Sequence, residues 1–183
     1  MQKRILGLAG EISSGKGTIT KYLTDKYGAS SCRFSAMLRD ILDRLHMEHS
    51  RENMQKLSTM LRQNFGEDIF AKVIAEDIKK DKSKIIIIDG VRRLDDIKYL
   101  RQLPEFKLVF VKADMKKRYE RIIQRGENPD DKNKTFEEFK KDHQRETETQ
   151  IKNLKNYADI LIDNNGSLEE LHKQVDRIII PKS

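Results

Sequence analysis

Only one cysteine, Cys32, occurs among the 183 residues, which excludes an internal disulfide framework and makes a reducing, cytoplasmic setting the simpler expectation. Long apolar runs are also missing. The N-terminal run Ile5-Leu6-Gly7-Leu8-Ala9 is too short for a signal peptide, and no later run is long enough to cross a bilayer, so no membrane partner is expected. The four histidines, His46, His49, His143 and His172, have no metal-ligand spacing with the cysteine, and no zinc site is read. Repeats and low-complexity tracts are lacking. Asn133-Lys134-Thr135-Phe136 lacks the aspartate of a guanine-reading Asn-Lys-x-Asp loop, which removes the GTPase reading.

Charge is not lacking. A formal net charge of +7 and a pI near 9.4 raise the question of nucleic acid, because clustered lysine and arginine neutralise phosphates. The basic excess, however, falls largely on helix-like stretches that also carry acids, 72–84 and 132–155, and a solvated mixed face is the ordinary meaning of that pattern. A nucleic-acid partner is therefore not the expectation. A monomer or homodimer is.

The most informative stretch is Gly10-Glu11-Ile12-Ser13-Ser14-Gly15-Lys16-Gly17-Thr18, which follows an apolar run long enough for one buried strand and precedes a helix-like segment, 18–27. It has the form of a phosphate cradle. Two glycines five apart let the backbone turn so that N–H groups point inward, and the helix that should begin near Lys16 adds its positive N-terminal dipole. Gly10, Ser13, Ser14, Gly15, Lys16, Gly17 and Thr18 are thus candidates to bind a polyphosphate. Lys16 would reach the outer phosphates, and since position 17 is glycine, Thr18 must supply the hydroxyl that holds Mg2+.

Strand-like runs alternate with helix-like ones at 4–9, 31–34, 85–89, 108–112 and 160–162, the signature of a five-stranded parallel sheet wrapped by helices. Ile85-Ile86-Ile87-Ile88 shows no alternation, as expected of a strand covered on both faces, and should be central. Between the second and third strands, three apolar stripes at helical spacing (Leu38, Ile41, Leu42, Leu45; Met54, Leu57, Leu61, Phe65; Ile69, Val73, Ile74, Ile78) predict a helical lobe over about 35–80. The polar loop 126–134 and a helix over 135–156 follow. That helix has few apolar positions before Ile151, so its first half is expected to project, with 125–145 forming a short lid. Ser167 is placed to cap a last helix, with Glu169 and Glu170 in its first turn. One domain, 1–183, accommodates all of this.

Several charged residues fall where chemistry would need them. Asp89 ends the third strand, hence at the carboxyl edge beside the phosphate loop, where a carboxylate can hold magnesium or its waters; the plain alternative is a turn aspartate before Gly90. The residue after it is not glutamate, which disfavours an ATP-hydrolysing motor. Arg39, Arg92 and Arg93 lie near the same edge and could grip a phosphate bidentately, although any one of them alone could be a surface residue. Arg118, Arg121 and Arg125 share one face of the helix after the fourth strand, and Arg125 borders the polar loop, so these could enter on closure and neutralise charge during phosphoryl transfer.

On these residues the chain resembles the P-loop nucleoside monophosphate kinases, a group that includes adenylate and UMP/CMP kinases, and it is similar to the phage deoxynucleoside monophosphate kinases and the dephospho-CoA kinases. The likeness spans nearly the whole length. Gly15-Lys16-Gly17-Thr18 matches the Gly-Lys-Gly-Thr of the monophosphate kinases, and Met37-Leu38-Arg39 resembles a stretch whose arginine contacts the acceptor. Asp89-Gly90-Val91-Arg92-Arg93 is similar to Asp-Gly-x-Pro-Arg, whose arginine binds the acceptor phosphate; with the proline missing, Arg92 and Arg93 both stay in play. Arg121-Ile122-Ile123-Gln124-Arg125 is similar to the Arg-x-x-x-Arg that opens the lid and contacts the donor. Further along, Lys140 and Lys141 replace expected arginines, leaving Arg145. The segment 158–171 is similar to the C-terminal part of dephospho-CoA kinases and of archaeal proteins described as related to them, and Phe65-Gly66-Glu67-Asp68 is similar to the deoxynucleotide kinases. The resemblance implies a three-layer α/β P-loop kinase fold and an ATP- and Mg2+-dependent kinase acting on a nucleoside or deoxynucleoside monophosphate. In it Lys16, Arg125, Arg92 and Arg93 would be catalytic, Arg121 with the loop would bind ATP, Arg39, Arg92 and Arg93 would bind the acceptor, and Thr18 and Asp89 would hold the metal. A dephospho-CoA kinase, or an NTP-binding regulatory or RNA-associated protein, are the alternatives.

Overall fold

The computed structural model describes residues 3–125, 134–143 and 146–180. Five strands, β1 (Arg4–Ala9), β2 (Ser30–Arg33), β3 (Ile85–Asp89), β4 (Phe106–Lys112) and β5 (Ile160–Asp163), pair in the order β2-β3-β1-β4-β5, all parallel. The expected α/β sheet is therefore present. Its centre is β1 rather than β3, which lies one place over, still paired on both sides. The second strand starts and ends one residue earlier than the sequence predicts because Phe34 opens a helix instead of closing the strand.

Around the sheet run α1 (Lys16–Tyr27), α2 (Phe34–Arg44), α3 (Arg51–Phe65), α4 (Ile69–Lys80) and the single turn α5 (Leu94–Ile97). After β4 come α6 (Met115–Arg125), α7 (Phe136–Asp142) and α8 (Glu146–Leu154), and α9 (Leu168–Ile179) closes the chain. Two cores sandwich the sheet. Ile86 and Ile88 turn to one face with Ile5, Phe110 and Ile74, Ile78 and Leu154 from α4 and α8, while Ile85 and Ile87 turn to the other with Leu6, Leu8, Ile19 and Leu23 of α1 and Leu171 and Val175 of α9. The alternation of a pleated strand explains why four consecutive isoleucines are all buried. The three helices expected between β2 and β3 form, and Leu38, Leu42, Leu57 and Phe70 give them a small core of their own.

α9 begins as predicted, with the Ser167 side chain accepting from the Glu170 amide in a reciprocal capping box. The single helix expected over 135–156 is corrected: α7 and α8 are separate helices. Nor does its first half project. Phe139 and His143 are 1% and 3% exposed, packed against α6 through Tyr119 and Arg118. Two inward-facing residues four apart supply that contact, fewer than a periodicity count requires.

Candidate nucleotide-binding site

Between Ala9 and Lys16 the chain makes the turn that the glycine spacing predicts. Gly10 has φ +146° and lies so close to the Val111 carbonyl of β4 that a Cβ would overlap it; Gly15 has φ +107° and a Cβ there would strike the Asn164 amide. Ser13, at φ +57°, is held in the left-handed region despite its side chain, a conformation that costs energy and recurs at ligand-binding loops. By contrast a Cβ on Gly17 would meet open space, so nothing in the protein itself calls for glycine there. α1 starts at Lys16 without a side-chain cap and without an acid in its first turn, so its N-terminal amides keep their affinity for an anion.

The polar groups around this turn fit a phosphate guest. The hydroxyls of Ser13 and Ser14 and the Nη1 of Arg121 are buried without a hydrogen-bond partner among the described residues, although buried polar atoms are normally satisfied. Arg121 is brought there by its Nη2, which donates to the Asn164 carbonyl at 2.8 Å, while Asn164 Nδ2 donates to the Ser14 carbonyl at 2.8 Å. Lys16 Nζ arches over the loop, donating to the carbonyls of Gly10 (2.5 Å) and Glu11 (3.0 Å). Thr18 is exposed at the first turn of α1.

Asp89 sits opposite Leu8 in the sheet, two residues before Gly10, so β3 does deliver it to the loop's edge. Its Oδ2 forms an ion pair with Arg33 Nε at 3.2 Å, across the β2–β3 register. A hydroxyl, a carboxylate and the substrate phosphates are the ligand set by which magnesium is usually held, and Thr18 and Asp89 would provide it. Among the described residues no group of three or more His, Cys, Asp or Glu is gathered for a metal bound by protein alone.

Past the end of β3 the structure separates the two neighbouring arginines. Arg93 Nη1 pairs with the Glu67 carboxylate at 3.0 Å, whereas the exposed Arg92 side chain makes no hydrogen bond or ion pair among the described residues. The backbone N–H groups of both donate to Asp96 Oδ2 (2.9 and 3.0 Å); Asp96 is 3% exposed, and its Oδ1 accepts from Arg62 Nη2 at 3.3 Å. Arg62 also lies over the Phe70 ring and donates to the Glu67 carbonyl. Sequence reasoning missed Arg62 and Asp96, and it marked Glu67 only within the stretch Phe65-Gly66-Glu67-Asp68, without its partner. An aspartate at the third position of the helix that follows Arg93 is a capping signal, and it would have marked Asp96. Arg39 is half-buried in α2, its Nη1 donating to Ser35 Oγ at 2.8 Å.

The three arginines of α6 divide as well. Arg125 is exposed at the helix end, and Arg121 reaches the loop, but Arg118 is 2% exposed and held by the Glu11 carboxylate, the carbonyls of Ala113 and Ile12, and His143. Arg118 is thus part of the scaffold of the phosphate loop. The loop 126–133 and Arg145, central to the expected lid, lie outside the described residues. Lys140 pairs with Glu137 of its own helix. Cys32 plays no part in the site: burial, then the charges of Asp77 and Asp81, pushes its thiol up to about 11. No helix among the described residues is long and apolar enough to cross a membrane.

Comparison with known proteins agrees with this architecture. A family model described as an AAA domain matches residues 7–140. A UPF0200 protein of Thermococcus kodakarensis is 31% identical over 180 residues, 96% of each chain, and one of Staphylothermus marinus is 31% identical over 179 residues, 98% of this chain and 93% of that one. Among solved structures, shikimate kinase from Bacteroides thetaiotaomicron superposes with a TM-score of 0.62 at 15% identity over 96% of both chains, and TT1252 from Thermus thermophilus with 0.61 at 17% identity over 98% of this chain and 97% of that one. At such identities the likeness is one of fold, and the fold is that of the P-loop kinases. Both of these relatives are named as UPF0200 proteins, which does not carry the finer resemblance to monophosphate or dephospho-CoA kinases; the chain belongs to the AAA domain family and to the UPF0200 proteins.

Proposed function

We propose that this protein is a kinase that moves the γ-phosphoryl group of ATP onto the phosphate of a nucleoside or deoxynucleoside monophosphate. The bond from Pγ to the β–γ bridging oxygen breaks, a bond from Pγ to an acceptor phosphate oxygen forms, and ADP and a nucleoside diphosphate leave. Lys16, the loop amides, Ser13, Ser14 and Arg121 hold the donor phosphates; Arg39 and Arg92 hold the acceptor phosphate; Arg125 adds to charge neutralisation during transfer. Thr18 and Asp89 would hold magnesium, which would supply neutralisation of the donor phosphates' charge. In this chemistry positioning and charge neutralisation do nearly all the work.

The observation that carries the acceptor choice is Arg33. A kinase acting on a hydroxyl is served by a carboxylate that accepts the hydroxyl proton, but β2 ends on an arginine, and that arginine engages Asp89, the carboxylate of the neighbouring strand end. A monophosphate is already ionised and needs cations instead. The test is ADP release from ATP across a panel of nucleoside and deoxynucleoside monophosphates together with dephospho-CoA. Turnover with at least one monophosphate and little with dephospho-CoA is expected; robust phosphorylation of dephospho-CoA alone would assign the hydroxyl acceptor, and ATP binding without transfer to any of them would assign a nucleotide-binding regulator.

A further inference from the structure

Glu11 is an odd residue for a phosphate cradle, since it places a carboxylate one position after the first glycine of a loop whose amides await an anion. The structure deals with it through Arg118. That guanidinium donates from Nη2 to Glu11 Oε1 at 3.1 Å and from Nη1 to the Ile12 carbonyl at 3.3 Å, gripping two consecutive loop residues, and its Nε is fixed on the Ala113 carbonyl at 3.0 Å. Lys152 of α8 adds a second cation 3.9 Å from the same carboxylate oxygen. The Nη1 that reaches the loop also donates to His143 Nε2 at 2.5 Å, and His143 Nδ1 donates to the Phe139 carbonyl at 2.6 Å. Arginine has only donors, so these two contacts require a neutral imidazole with its proton on Nδ1. Arg118 and His143 are 2% and 3% exposed, so water is a poor substitute for either partner.

We propose that His143 is a positioning residue for the phosphate loop, acting through Arg118 on Glu11 and Ile12, so that the docking of α7 on α6 sets the shape of the nucleotide site. His143 is the C-cap of α7 and stands within a chain of contacts Phe139–His143–Arg118–Glu11 that runs from α7 into the loop. When the latch is made, the Glu11 carboxylate is paired and drawn toward α6, away from incoming phosphates. When His143 no longer presents its lone pair, Arg118 loses one of the contacts that aim it, and both the neutralisation of Glu11 and the hold on Ile12 weaken.

The test compares two amides of different reach. Gln at 143 can place its carbonyl oxygen where Nε2 stands, whereas Asn reaches only as far as Nδ1. Amide hydrogen-exchange protection of residues 10–17, corrected for intrinsic rates and measured without nucleotide, should fall about tenfold in His143→Asn and stay within about threefold of wild type in His143→Gln, the scale of one charge-assisted hydrogen bond. Equal protection in both variants, or loss in both with α7 still protected, overturns the proposal. The ATP arm rests on the nucleotide reading above: His143→Asn should weaken Mg·ATP binding about tenfold in wild type but not in a Glu11→Gln background, because the effect travels through that carboxylate. Fully multiplicative effects would show that His143 acts by another route. A wild type that binds no Mg·ATP would sink the nucleotide reading while the exchange arm still decides the latch. Should His143→Asn fail to fold, the 15N signal of His143 Nε2 in the wild-type protein decides: an unprotonated nitrogen is required, and a protonated one overturns the latch.

Discussion

Asn164 Nδ2 donates to the carbonyl of Ser14 at 2.8 Å, a bond between residues 150 apart in sequence, and the same amide fills the space that a side chain at Gly15 would need. The end of β5 is therefore built into the phosphate loop. The Asn164 carbonyl in turn receives Arg121, so one residue positions both the turn and an arginine beside it.

That contact predicts a coupling. Asn164→Ala should weaken Mg·ATP binding about tenfold by freeing the Ser14 carbonyl and Arg121. Gly15→Ala should be worse in the wild-type protein, yet lose part of its effect when Asn164 is already alanine, since the collision is removed and only the backbone strain remains. Calorimetric titration of the four proteins checks this; strictly additive effects would mean that the two residues do not share the space.

Lys16→Ala should lower phosphoryl transfer by about a hundred- to a thousandfold, the scale on which one charge-stabilising donor is usually worth, with the thermal melt unchanged. A folded Lys16→Ala protein of near-normal turnover would remove Lys16 from the mechanism.

On the acceptor side, Arg92→Ala and Arg39→Ala should each raise the KM for the monophosphate about tenfold or more and leave that for ATP within about twofold. Arg93→Ala should do much less, because Arg93 is committed to Glu67 and that pair is partly exposed, worth no more than about 1 kcal/mol. Steady-state kinetics with both substrates varied distinguish the two; the reverse order would hand the acceptor phosphate to Arg93.

Cys32 should be inert near neutrality. Only the thiolate is alkylated, and with the thiol pushed up to about 11 chiefly by burial, roughly one molecule in a thousand is ionised at pH 8. Alkylation by iodoacetamide in the folded protein should rise about tenfold per pH unit between 7 and 10. Fast labelling at pH 7, followed by mass spectrometry, would show that the β2 edge opens.

The sequence by itself determined the sheet, the phosphate loop and the capped last helix, because each rests on local physics. Four consecutive isoleucines can satisfy only a doubly covered strand, Gly10 and Gly15 mark a turn whose φ values other residues resist, and Ser167 with Glu170 closes a capping box within four residues. It also placed Asp89 at the loop's edge, since residues that end parallel strands emerge at one edge. What only the tertiary structure decided are the partners. That Arg93 is committed to Glu67 while Arg92 is not, that Asp89 faces Arg33, that Arg118 is buried against Glu11 and His143, and that Asn164 occupies the space beside Gly15 all depend on contacts between residues far apart in sequence. Spacing along one helix put Arg118, Arg121 and Arg125 on a common face, and it could not say that the face splits into a buried, a half-buried and an exposed guanidinium, because burial is set by what packs opposite.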